Sequence, residues 1–218
     1  MKKAFSVYGM AYLMLLAVMV GLLVAYPKME LHLLLNAHHT GFQDVFFKYY
    51  TRLAEWPLYV LALLLLFWKQ VRVAVFYALC ELASGAVTQI LKRLFDIDRP
   101  ARVFENSDAV LPLVEGVDMH HSNSFPSGHT STFFVFFTCC ALLLAYRYVQ
   151  RIDSNNPTRR MLFFFSLLLM LALAALGGYS RIYLSQHFLS DVCMGSVIGF
   201  VIPCLFFYFG KNKILKFK

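Results

Sequence analysis

PSGHTSTFFVFFTCCALLLAYRY, residues 126–148, joins two kinds of chemistry in one stretch. From Thr130 to Tyr148 the residues are apolar, aromatic or hydroxyl-bearing, and Arg147 near the end is the one charge. A run of about 20 such residues matches the roughly 30 Å of a bilayer's hydrocarbon layer. In lipid, every backbone polar group must find its partner inside the segment, so the run reads as a membrane helix. The four residues before it, Pro126-Ser127-Gly128-His129, set a turn, a hydroxyl and an imidazole at its N-terminus. Helix N-termini present free N–H groups and bind anions well.

Five further apolar stretches flank this one. They run from about Ser6 to Tyr26, Glu55 to Trp68, Val71 to Leu91, Met161 to Leu176 and Phe188 to Phe209. The second is short, and Pro203 marks a kink in the last. The expected fold is all-α: an integral membrane six-helix bundle forming a single domain over residues 1–218. Met1-Lys2-Lys3 and the run behind it read as a retained first span, since no small-x-small cleavage site followed by a polar domain is seen. Between the first two spans, Phe42 to Trp56 is amphipathic and aromatic, as expected of a short interfacial helix in the headgroup layer.

Composition agrees. Apolar residues make up 60% of the chain and charged residues 15%, against roughly 45–50% and about 25% in soluble domains. The net charge of +8 is scattered in short clusters between apolar runs, which argues against nucleic acid as a partner. Cys80, Cys139, Cys140, Cys193 and Cys204 all fall in or beside apolar runs and fit neither a zinc pattern nor a disulfide framework. With a cytoplasmic N-terminus, twelve of the twenty basic residues fall on one side, in short connections carrying only Asp153 as an acid. That bias places both termini in the cytoplasm. The two long segments, 27–54 and 92–129, then lie on the outer side.

Three polar clusters gather at the outer helix ends: Lys92 with Arg99-Pro100, then Ser127-Gly128-His129, then Ser180-Arg181 with His187 and Asp191. Charges near a bilayer are costly and call for a function. Lys92, Arg99 and Arg181 suit phosphate oxygens, lysine as a point charge and arginine as a fork. The Ser127 and Gly128 amides and the Ser127 hydroxyl add donors. His187 and Asp191 stand four apart, on one helical face, where the carboxylate fixes the imidazole tautomer. The expected chemistry is attack of His187 on phosphorus, with His129 protonating the leaving alkoxide and then activating water. The cations neutralise the transferring group, so neither metal nor other cofactor is called for. His120, His121, Glu115 and Asp118 near His129 invite a zinc reading, but two clear ligand pairs are missing.

In order and type, these clusters resemble the three-part signature of the type 2 phosphatidic acid phosphatase family. The motif-bearing core covers about residues 92–191, and the six-helix layout extends the likeness over most of the chain. The resemblance implies a metal-independent lipid phosphatase, with catalytic roles for His187, His129 and Asp191. It implies phosphate-binding roles for Lys92, Arg99, Ser127, Gly128 and Arg181. Its members act on phosphatidic acid, phosphatidylglycerol phosphate, undecaprenyl diphosphate and lipid A phosphates, and the last three are the leading candidates for a bacterial inner-membrane enzyme. A lipid-to-lipid phosphotransferase would use the same site. An anion or lipid transporter, a different class, would show repeats and midplane polar residues, and no repeat is seen. The sequence leaves oligomeric state open.

Other polar residues take plainer readings. Glu81, Thr88 and Gln89 inside the third span are expected to bond to neighbouring helices. His38 and His39 read as loop residues. Asp96, Asp98, Glu105, Asp108, Glu115 and Asp118 solvate the second long loop or pair with Arg93 or Arg102. Phe42, Phe46, Phe95, Phe125, Tyr179, Tyr183 and Phe188 are expected to line the way in for lipid.

Overall fold

The computed structural model describes residues 2–55, 59–60, 70–105, 107–151 and 156–214. Its elements are all helical: α1 (Lys2–Ala25), α2 (Lys28–Leu35), α3 (Gly41–Arg52), α4 (Val71–Phe95), α5 (Pro100–Glu105), α6 (Gly128–Arg151), α7 (Pro157–Tyr183) and α8 (Leu189–Ile214). Five helical stretches among the described residues are long and apolar enough to cross a membrane. The expected span from Glu55 to Trp68 falls largely outside the described residues. The amphipathic stretch forms α3, ending at Arg52. Two short helices, α2 and α5, were not expected.

Local chemistry sets the ends. Thr40 caps α3 by accepting the Gln43 N–H at 3.2 Å, and Asn156 caps α7 by accepting that of Arg159 at 3.1 Å. Pro157 opens α7, where a missing N–H costs nothing. Helix α4 runs one turn beyond the expected end and closes on Asp96, left-handed at φ 35°, whose N–H reaches the Lys92 carbonyl at 3.0 Å. Likewise α7 extends past Leu176 to Tyr183. That extension carries Arg181 on the last helical turn.

Helix α6 is the hub, packed against α1, α4, α7 and α8. One face sets Phe134, Ala141, Ala145 and Tyr148 against Tyr8 and Tyr12 of α1 and Phe163 and Leu167 of α7. Another sets Val135, Cys139 and Leu142 against Phe76 and Cys80 of α4 and Phe207 of α8. The outward faces stay apolar: Met14, Val18, Leu82, Phe165 and Phe209 are exposed. Such a surface is a liability in water and ordinary in lipid.

The contact of α6 with α8 decides where the site forms. Added methyl carbons on Gly195 and Gly199 would lie 2.6 Å from the Ser127 carbonyl oxygen and 2.5 Å from that of Ser131. Backbones this close require the small residues typical of membrane helix interfaces. Gly195→Ala is expected to destabilise the bundle by about 1–3 kcal/mol through overpacking. Gly21→Ala, which meets nothing within 4 Å, is expected to leave thermal unfolding nearly unchanged, and the two melting temperatures in detergent check this.

Candidate active site

Close approach of α6 and α8 brings two helix N-termini together. The Ser127 N–H donates to the Asp191 carbonyl at 3.0 Å. That amide is therefore taken up by the fold, a correction to the expectation that it faces phosphate. The Ser127 hydroxyl oxygen caps α6, accepting from the Thr130 N–H at 3.4 Å and the Thr130 hydroxyl at 2.9 Å. Its own proton is left to donate.

His187 follows a turn that closes back on α7. The Gln186 and His187 N–H groups both reach the Arg181 carbonyl, at 2.9 and 3.1 Å, and Ser185 takes φ 52° to make this possible. The His187 Nδ1 faces Asp191 Oδ2 at 3.5 Å, and both residues are at most 2% exposed. Asp191 is held in turn: its Oδ2 accepts from the Ser124 hydroxyl at 2.5 Å and the Phe188 N–H at 3.0 Å. With Nδ1 turned to the carboxylate, Nε2 carries the free lone pair.

Burial drives the imidazole of His187 from its ordinary 6.5 down to about 3. Asp191 opposes that shift, while Arg99 and Arg181 reinforce it. Burial thus favours the unprotonated ring, the form a nucleophile needs. Between pH 6.5 and about 3 the unfolded chain binds this proton and the folded chain does not. The group's contribution to stability is therefore full above 6.5 and declines as pH falls through that window. The expected NMR signature of ring-labelled protein is a His187 imidazole that remains neutral from pH 8 to 5; a titration near 6.5 would contradict it.

Arg99 and Arg181 act on this ring, and Lys92 lies within electrostatic range of both arginines and of Asp191. Arg181, 6% exposed, donates from Nη1 to the Thr51 hydroxyl of α3 at 2.7 Å. Its Nε is buried with no hydrogen-bond partner. Arg99 donates from Nε to the Ser122 carbonyl at 2.9 Å and from Nη1 to the Gln186 carbonyl at 3.2 Å. Lys92 donates to the Asn123 carbonyl. The segment 121–124 is pinned for this task, with its His121 carbonyl on the Arg99 N–H at 2.9 Å and its Ser124 N–H on the Ile97 carbonyl at 2.8 Å. Neutral oxygens orient all three cations. Among the described residues, none of the three has a carboxylate within ion-pair distance.

His129, on the first turn of α6, lies within electrostatic range of Arg181, His187, Arg99 and Lys92. Its Nε2 is 3.7 Å from Glu55 Oε1. It also stands where two cavities meet. One, of about 720 Å³, opens between α4 and α6 along Tyr77, Glu81, Thr88 and Gly128. The other, of about 170 Å³, is polar and is bounded by Lys48, Thr51 and Glu55, the 116–120 loop, Arg181 and Gln186. His120 lines the polar cavity, where burial and the nearby arginines lower its pKa. Among the described residues, no group of three or more His, Cys, Asp or Glu side chains is arranged to hold a metal ion.

Other residues take part without any sequence signal strong enough to mark them. Ser124, Asn123 and Gln186 hold Asp191, Lys92 and Arg99. The 27–54 segment reaches the same turn through a half-buried relay. The Tyr183 hydroxyl donates to Asp44 at 2.6 Å, His39 joins Asp44 at 2.9 Å to Asn36 at 2.7 Å, and Asn36 donates to Ser185 Oγ at 2.7 Å. His32, buried and pushed down to about 4 by desolvation, sits 3.4 Å from the same oxygen. His39 lies in the loop between α2 and α3, as expected, and is tied there to Asp44 and Asn36. Tyr183 and Phe188, expected to line the lipid's way in, are instead 0% and 1% exposed and belong to the core.

A helical bundle with lipid-facing flanks, and a buried histidine near cations that no carboxylate among the described residues pairs, fit a membrane-embedded hydrolase of phosphoric esters on lipids. Comparison with known proteins supports this class. A family model described as the PAP2 superfamily matches residues 73–215, and the chain belongs to that superfamily. Two solved structures are similar. The structure of Aquifex aeolicus LpxE is 25% identical, with 83% of this chain and 95% of that one covered and a TM-score of 0.57. The first transmembrane PAP2-type phosphatidylglycerolphosphate phosphatase from Bacillus subtilis is 19% identical, with 100% of both chains covered and a TM-score of 0.64. No curated protein shows significant sequence similarity to the chain.

Proposed function

We propose that the protein cleaves phosphate from a lipid headgroup through a phosphohistidine on His187. The Nε2 lone pair of His187 attacks phosphorus, the bond from phosphorus to the leaving oxygen breaks, and that oxygen takes its electron pair and a proton from His129. Water then attacks the phosphohistidine, giving its proton to His129, and the P–N bond breaks to release inorganic phosphate. Asp191 stabilises the imidazolium character that develops on His187. Lys92, Arg99, Arg181, the Ser127 hydroxyl and the Gly128 N–H receive the phosphoryl oxygens. The observation that supports this reading is a buried imidazole beside Asp191, with Arg99, Arg181 and Lys92 nearby and, among the described residues, without carboxylate partners.

In this reading residues 1–218 act as one domain, with both termini cytoplasmic and the site at the periplasmic or outer face. Helix α3 lies in the headgroup layer, its exposed Phe42 and Tyr49 turned to lipid. The substrates that fit are undecaprenyl diphosphate, phosphatidylglycerol phosphate and lipid A phosphates. The test is release of inorganic phosphate from a panel of these lipids by purified protein with and without a metal chelator. Turnover on at least one lipid, unchanged by chelator, is expected. Activity lost to chelator and restored by a divalent cation would overturn the metal-free step.

A further inference from the structure

Ser185 stands two residues before His187 and takes φ 52°, in the left-handed region that glycine enters freely and serine does not. The chain doubles back here, with the Gln186 and His187 N–H groups both returning to the Arg181 carbonyl. Glycine would make the same turn without strain. The serine hydroxyl, however, is fully engaged. It donates to the Pro112 carbonyl at 2.9 Å, so its lone pairs are left to accept. Asn36 Nδ2 donates to it at 2.7 Å, and His32 Nε2 faces it at 3.4 Å. Ser185, Asn36 and His32 are at most 1% exposed.

One oxygen thus ties three segments together: α2, the loop that carries Pro112, and the turn ahead of α8. That loop goes on to Ser122, Asn123 and Ser124, which hold Arg99, Lys92 and Asp191. The next residue makes a second tie to it: Gln186 Nε2 donates to the Asp118 carbonyl at 3.1 Å, and Gln186 Oε1 accepts from Arg99 Nη1 at 3.3 Å. The His32 ring lies 5.2 Å from that of Phe188 and 5.8 Å from that of Phe104 on α5, so it also braces the residue on the other side of His187. Resting on the phosphatase reading above, we infer that Ser185 is a positioning residue for the nucleophile: its hydroxyl, set by Asn36 and His32, fixes the turn that aims His187 Nε2 at phosphorus. Through α2 the 27–54 segment then helps to set the reaction geometry. Displacing a reacting group by about 1 Å costs about a hundredfold in rate.

Two substitutions separate the hydroxyl from the backbone. Ser185→Gly removes the hydroxyl and relieves the left-handed strain; Ser185→Ala removes the hydroxyl and keeps the strain. Phosphate release is measured in detergent micelles on whichever of undecaprenyl diphosphate, phosphatidylglycerol phosphate and a lipid A phosphate the wild type hydrolyses fastest. Both variants are expected to lose about tenfold to a hundredfold in kcat, with KM within about twofold of wild type. The glycine variant is expected to melt at a higher temperature than the alanine variant, so that stability and kcat part company. Ser185→Gly, at a φ that glycine adopts freely, decides alone should the alanine variant fail to fold. Activity that follows the melting temperature, or a kcat within about twofold of wild type in the glycine variant, overturns the inference while the phosphatase reading stands. Turnover of none of the three lipids by the wild type overturns both.

Discussion

His187→Ala is expected to lower kcat for lipid phosphate hydrolysis by at least about a thousandfold, the scale of losing a nucleophile. Nδ1 of His187 is turned to Asp191 at 3.5 Å, Arg99, Arg181 and Lys92 are assigned to phosphate, and His129 is assigned to the leaving-group side. Binding should persist, because Lys92, Arg99 and Arg181 are anchored by carbonyls and a hydroxyl that the substitution leaves in place. Phosphate release and substrate-analogue binding, measured on the same preparation, separate the two effects. Wild-type-like turnover in this variant would exclude His187 as nucleophile.

Arg181→Lys is expected to cost about a hundredfold in kcat/KM although the charge is kept. Loss of one well-placed donor to a developing oxyanion costs roughly 10²–10³ in kcat, and lysine cannot reproduce the guanidinium fork. Nη1 of Arg181 is committed to Thr51 at 2.7 Å, while the buried Nε has no protein partner and is a donor left for phosphate. A lysine reaching the same place satisfies one of these directions. The fall should appear mostly in kcat, since the donor matters most as charge builds on the transferring group. Arg102→Lys, at an exposed arginine 3.7 Å from Asp98, is the matched control and should stay within about twofold, as surface pairs contribute little. Arg181→Lys retaining activity within about twofold, like the control, would show that Arg181 matters only as positive charge.

Residues whose chemistry is expensive in lipid were legible in the sequence. His187, Asp191, Arg181 and Lys92 stand out because an apolar chain has few reasons to keep such groups, and the structure gathers them at one end of the bundle. The longest apolar runs were legible for the same reason. Groups whose role depends on which way they point were not. Tyr183 and Phe188 flank a turn that folds back onto Arg181, so both rings enter the core. Glu81 looks like an interhelical link, but Ser84, three residues on, makes that link to α6 and leaves Glu81 facing a cavity. Helix α2 was missed because eight residues behind Pro27 carry too little periodicity to separate a helix from a packed loop. Ser127 is a subtler case: its position at the site was readable, but the loss of its N–H to the Asp191 carbonyl depends on the close approach of α6 and α8 at Gly195.

The covalent step stands or falls on a quench experiment with a lipid labelled in its terminal phosphate. Bonds between phosphorus and imidazole nitrogen survive alkali and break in acid. Milliseconds after mixing, an alkaline quench should leave label on the protein, mapping to the peptide that contains His187 and disappearing on brief acid treatment. Repeated turnover with no labelled protein at any time, or label on a different residue, would contradict the account.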